Sequence, residues 1–335
     1  MVAPRQFRPA AALAGVAALS LTAGAFAFSV GASAHTTPVN VVYAGSLATI
    51  NDQILAPAFT KATGIAYEGE GNATLALAQE IVSGEVTADL FESVGTSGLT
   101  AVGTKLMPWA VSVASQPLVV MYNPKSRFAS AFRAIADGRK PLRDLFPLLA
   151  TPGLKLGRTD PETDPQGQAF VLMVHLAQKL YHLPQDMPTK ILGALENPNE
   201  VFTETGLPAE IQSGAIDASS GFLPQAIELK LPYIALPASL DFAAAAAAKT
   251  YAEVSLTLPD THQTVVGAPL AIWAGPLFEP GSHTALGVRY LEFVMSAKGQ
   301  ALLKANGFTP VALPVYGNKR LLPAQLRREV AQDAK

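Results

Sequence analysis

From His35 onward the chain alternates short apolar runs with longer helix-patterned ones, and this alternation constrains its fold more than any other feature. VNVVYAG (39–45) has the make-up of a buried strand, and SLATINDQILAPAFTKATG (46–64) follows with helical spacing, Ser46 placed as N-cap and Gly64 as terminator. IAYEGEG (65–71) reads as the next strand, NATLALAQEIVSGE (72–85) as a helix capped by Asn72, and ADLFES (88–93) as a third strand. Parallel strands cannot be joined by a tight turn, so strand–helix–strand succession predicts a parallel sheet with crossover helices.

QPLVVMYNP (116–124) is strongly β-prone and ends at a Pro, ahead of a basic stretch, KSRFASAFRAIADGRKPLRD (125–144), that reads as loop-rich and marks a crossing to a second unit. There the pattern resumes. GLKLGRTD (153–160) reads as strand and turn, Gln166–Tyr181 as a helix, and Val201–Gly206 as a loop or short strand. PAEIQSG (208–214) reads as a helix, AIDASSG (215–221) as a strand entering a turn, and LPYIALP (231–237) as a strand. The alanine run Ala243–Ala248 offers no side-chain chemistry and reads as helix or plain surface. TVVGAPLAIWAG (264–275) reads as a strand returning to the first unit, and His283–Gly307 as one long amphipathic helix. The expected architecture is α/β in two lobes, 35–122 with 255–335 and 123–254, each a mostly parallel sheet flanked by helices. A cleft between two such lobes is the natural place for a ligand.

Residues 1–34 stand apart from this pattern. Arg5 and Arg8 precede an uncharged apolar run that ends in Ala32-Ser33-Ala34, the form of a secretory signal with a small-residue cleavage site. Pro9–Val30 is long enough for a membrane anchor, but its Ala- and Gly-rich composition favours a cleaved signal and a periplasmic product. Removing those two arginines takes Lys+Arg from 24 to 22 against 26 Asp+Glu, a formal charge of −4. Such a balance gives no electrostatic footprint for nucleic acid or an anionic membrane. With 0 Cys, the exported chain has no disulfides and is held by burial alone.

Enzyme chemistry finds little support. There is no G-x-S-x-G elbow, no phosphate-binding G-x-x-x-x-G-K-[ST] loop and no G-x-G-x-x-G after a strand. The five His show no paired metal-ligand spacing, His175 and His182 being seven apart. Asp160 and Asp164, in GRTDPETDPQG (157–167), could be read as a hydrolase acid pair, but no aromatic sugar platform surrounds them. No cofactor is expected.

Four expected helix starts share a polar residue beside a small one after a strand or turn: Ser46, Asn72, Asp164–Gly167 and Ser219–Ser220. Each alone is ordinary capping. Spread over both lobes, their N–H groups and helix dipoles could together clamp one small oxyanion without a Lys or Arg cluster.

VVYAGSLATIN (41–51), EGEGNATLALAQEI (68–81), ADLFES, GRTDPETDPQG, SGAIDASSG (213–221) and YIALP (233–237) resemble the periplasmic substrate-binding proteins of molybdate/tungstate ABC transporters, in their tungstate-type branch. The likeness runs from about Val39 to about Phe308, and the D-P-x-x-D-P-x-G box is its most specific motif. It implies a two-lobed periplasmic binding protein fold of type II that closes on a tetrahedral oxyanion and delivers it, as a monomer, to a permease driven by an ATPase. By motif position, Ser46 would bind with hydroxyl and N–H, Asn72 stands where the family commonly has a serine, and Gly167 would offer a backbone N–H. Asp164 matches the carboxylate that in archaeal members approaches the molybdenum or tungsten itself. The family's second carboxylate falls at Gly221, and its Tyr is replaced by Gln168. The expected mode is therefore a four-coordinate oxyanion held by hydroxyls and N–H groups, with Ser219 or Ser220 assisting. Rival ligands are sulfate, another small oxyanion or a small organic acid.

Overall fold

A computed structural model of the protein describes residues 37–204 and 206–333, so the expected signal segment lies outside the described residues. The strands in chain order are β1 Val39–Ala44, β2 Tyr67–Asn72, β3 Leu90–Val94, β4 Trp109–Ser115, β5 Leu118–Tyr122, β6 Leu156–Thr159, β7 Val201–Phe202, β8 Ala218–Phe222, β9 Tyr233–Ala235, β10 Ser255–Thr257, β11 Thr264–Val266, β12 Ala271–Pro276 and β13 Tyr316–Gly317. They form a six-stranded sheet in the order β13-β4-β12-β3-β1-β2 and a five-stranded sheet in the order β7-β6-β8-β5-β9, with β10 and β11 as a separate ribbon.

Both sheets are covered on both faces, which explains the unbroken apolar runs. In β1, Val39, Val41 and Tyr43 face one core while Val42 faces another. In β5, Leu118, Val120 and Tyr122 face the larger core of the second lobe, and Val119 and Met121 the smaller one. Within each sheet the longer strands run parallel except the one by which the chain has just crossed between lobes. β12 is antiparallel to β3 and β4, and β5 is antiparallel to β8 and β9.

Those crossings correct the expected boundaries. β5 lies wholly in the second sheet, so the first crossing falls at Gln116–Pro117 rather than after Tyr122. The return comes after the β10–β11 ribbon, whose Leu256 packs in the second lobe's core, and not at 255. The two crossing segments lie side by side, the Gln116 N–H donating to the Leu270 carbonyl at 3.4 Å. TVVGAPLAIWAG is accordingly two strands, one in each lobe, with the crossing between them.

Three helical expectations also change. The segment after β1 starts as a 3-10 turn at Gly45–Leu47, continues as a π-helix at Thr49–Leu55 and becomes α-helical only at Ala56–Thr63. Pro57, at the second position of that α-helix, has no N–H to give to the preceding turn. The basic stretch is no loop. It contains the helix Ala129–Ala136, which buries Phe132 and Ile135. The long C-terminal helix is two, Thr284–Met295 and Ala297–Ala305, because Ser296 turns extended (φ −65, ψ 159) and its hydroxyl caps the second by accepting from the Gly299 N–H. Ala245–Ala247 form a 3-10 turn and Ala248–Tyr251 a short helix.

Candidate functional site

The carboxyl ends of β1, β2 and β3 face the second lobe across a cavity of about 410 Å³. Ala44, Gly45, Ser46 and Asn72 line it from the first lobe; Asp160, Asp164, Thr203 and Glu204 line it from the second. Strand ends at an interlobe crevice are where α/β proteins place ligands, and this volume suits a small one. The described lining contains no Lys, Arg or His. Among the described residues no three His, Cys, Asp or Glu side chains gather as a cation site.

Asp164 is the N-cap of the helix Pro165–Leu180, in extended conformation (φ −124, ψ 122), and its Oδ1 accepts from the Gln166 N–H at 2.8 Å. Its Oδ2 is buried without a partner, and the nearby Thr159 hydroxyl does not close a well-formed bond to the carboxylate. Asp160 shapes the preceding turn, its Oδ1 accepting from the Glu162 N–H at 2.8 Å and its carbonyl from the Asp164 N–H at 2.8 Å. The two Asp-Pro steps thus divide turn-making from capping.

Facing Asp164 is a carboxylate that sequence reasoning missed. Glu204, just after β7, brings its carboxylate beside the Gly45–Ser46 turn of the first lobe, where the N–H and hydroxyl of Ser46 favour its charged form. One of its oxygens lies 3.0 Å from where a Cβ on Gly45 would sit, so an added methyl would crowd the carboxylate by a few tenths of an ångström. Burial first, and the neighbouring Asp164 charge second, raise the Glu204 carboxyl; burial first, and Asp160 among the charges, raise Asp164. VFTETG carries no signal that could have singled out Glu204, since an acid in a polar turn reads as solvated.

The other expected site residues divide. Ser46 and Asn72 do line the cavity, though neither caps a helix. Asn72 ends β2 and holds its own turn, its Oδ1 accepting from the Ala73 N–H at 2.8 Å. Gly167 is not in the described lining: a Cβ there would lie 2.3 Å from the Thr159 carbonyl oxygen, so the glycine serves close packing of helix on strand. Ser219 and Ser220 sit inside β8 rather than at a helix start, fully buried and away from the described lining. The Ser220 hydroxyl donates to Gln166 Oε1 at 3.2 Å. A side chain at Gly221 would run into Met121, 2.4 Å from its methyl, and so would point into the core behind β8. Gln168 donates to the Pro161 carbonyl at 2.9 Å, and Arg158 is buried against the carbonyls of Ala194 and Leu195.

The family described as bacterial extracellular solute-binding protein matches residues 39–309 of this chain. A Haloferax volcanii protein provisionally named an ABC transporter molybdenum-binding protein is 29% identical over 299 residues, 89% of this chain and 90% of the relative. The molybdate/tungstate-binding protein WtpA of Pyrococcus abyssi is 23% identical over 311 residues, 84% of this chain and 88% of that one. Among solved structures, the periplasmic molybdate-binding protein of Azotobacter vinelandii aligns with TM-score 0.55 at 18% identity, covering 82% of this chain and 99% of that one. The sulfate-binding protein SubI of Mycobacterium tuberculosis aligns with TM-score 0.56 at 15% identity, covering 83% and 88%. Structural likeness at such identity speaks for the fold alone. With the match spanning most of both lobes, the chain belongs to the bacterial extracellular solute-binding protein family, a family of binding proteins rather than enzymes.

Proposed function

We propose that this protein is the extracytoplasmic carrier of an ABC importer for a tetrahedral oxyanion, molybdate or tungstate, which it holds between its lobes and hands to a permease driven by an ATPase. The observation that carries the reading is the pairing, across one cavity, of the Ser46 N–H and hydroxyl with the buried Asp164 carboxylate and its unpartnered oxygen. Donors on the first lobe can bind oxyanion oxygens. The carboxylate on the second would repel any anion unless a proton lies between them or the anion's central atom accepts it. Molybdenum and tungsten can enlarge their coordination beyond four; sulfur in sulfate does not. The buried Asp164 carboxylate therefore favours the metal oxyanions over sulfate, which shares their charge and shape. The names of two relatives point the same way. Asn72 would position the anion from the first lobe, and lobe closure about the paired crossings at Gln116 and Leu270 would trap it.

Titration calorimetry of the purified protein with molybdate, tungstate, sulfate, phosphate and a small dicarboxylate tests this. Molybdate or tungstate should bind tightly and sulfate at least roughly tenfold more weakly, the effect of one unfavourable charged contact. Tight binding of sulfate, phosphate or the dicarboxylate with no heat from the metal oxyanions would contradict it.

A further inference from the structure

We propose that Glu204 is an internal ligand of the anion pocket: its carboxylate occupies the Ser46 donors and holds the cleft closed until an oxyanion displaces it. The inference rests on the reading of this cavity as an oxyanion site. A carboxylate and a tetrahedral oxyanion offer these donors the same thing, negatively charged oxygens at hydrogen-bonding distance. They cannot both take the Ser46 N–H and hydroxyl. Glu204 comes from the turn after β7 in the second lobe and Gly45–Ser46 from the first, so the carboxylate reaches across the lobes at the place the ligand would.

The surroundings fit such a contact. Gly45 leaves room for the carboxylate, whose oxygen would meet a Cβ there at 3.0 Å. No basic side chain in the described lining draws Glu204 in. The charged groups around it are acidic: Asp164 faces it from the helix start, Asp160 lies further round the lining, and the first-lobe lining adds no ionisable side chain. The Asp164 charge works against Glu204 in this position, and the Ser46 donors offset it. Charge-assisted bonds of this kind can tip an open–closed lobe equilibrium. An arriving oxyanion would then replace one inter-lobe link with another, and the free protein would already be closed.

Small-angle scattering of the ligand-free protein and of Glu204→Ala, each with and without molybdate, tests the proposal. The ligand-free wild type should have the same radius of gyration as the molybdate-bound form. Ligand-free Glu204→Ala should be larger, and should contract on adding molybdate. Its affinity for molybdate should rise by roughly tenfold, the loss of a competing charged acceptor. An unchanged radius in Glu204→Ala would overturn the latch, and weaker molybdate binding would make Glu204 a ligand-holding group instead. Amide hydrogen exchange provides a measurement without substitution: the Ser46 N–H should be protected in the ligand-free wild type, and fast exchange there would contradict the proposal. If neither protein binds any oxyanion, the functional reading fails, while the ligand-free radii and the exchange data still decide whether Glu204 closes the cleft.

Discussion

Glu92 shows how a single buried acid can set the pH response of the whole first lobe. It lies on β3, accepts from the Asn51 side-chain amide at 2.7 Å, and has its other oxygen buried without a partner. Asn51 in turn accepts from the Tyr290 hydroxyl at 2.6 Å, tying the π-helix to the C-terminal helices. Burial pushes the Glu92 carboxyl up to about 7, the Asn51 bond opposing it. A folded pKa above the unfolded one means that this group's stabilisation is present below about pH 4 and lost as pH rises through about 7. Stability from urea melts should therefore fall between pH 5 and pH 8 more steeply in the wild type than in Glu92→Gln, by on the order of 2 kcal/mol. Parallel slopes would show that Glu92 does not carry the burden. At this scale the sequence was legible where chemistry is local: Asp164 as a cap and Asp160 as a turn-maker follow from the Asp-Pro steps. It was not legible for Glu204, whose neighbours Gly45 and Ser46 are far away in the chain and in the other lobe. Ser219 and Ser220 misled because a polar pair beside a glycine reads as a turn, whereas both are buried in a central strand with Ser220 satisfied by Gln166.

Among the elements, the helix Pro165–Leu180 matters most to the site, because its first residue follows Asp164 and its position fixes where that carboxylate stands. Gly167 fixes the position by letting the first turn rest on the Thr159 and Asp160 backbone. Gly167→Ala would set a Cβ 2.3 Å from a carbonyl oxygen that cannot move aside, so it should cost about 1–3 kcal/mol and displace the helix start. Urea unfolding should show a lower midpoint with an unchanged m-value; an unaltered midpoint would mean that the helix shifts freely. Strand and helix order could be read from apolar periodicity, since that periodicity is what the four cores use. Breaks within helices were hidden because Ser296 and Pro57 interrupt the backbone without interrupting the apolar pattern.

For the whole molecule, the topology is two parallel-rich sheets joined by paired crossings, and this is what makes one cavity from two sets of strand ends. Two lobes were legible in the repeated α/β alternation. The crossing points were not, because β4 and β5 form a nearly continuous β-prone stretch with only Gln116 and Pro117 between them, and sheet membership is settled by pairing with distant strands. In the proposed function the lobes close on a metal oxyanion between Ser46 and Asp164. Crystals grown with tungstate and measured at a tungsten absorption edge test it most directly. One strong anomalous peak is expected in the 410 Å³ cavity, between the Ser46 donors and the Asp164 carboxylate, with Glu204 turned away from Ser46. A tungsten peak elsewhere, or an empty cavity with Glu204 still beside Ser46 at saturating tungstate, would contradict it.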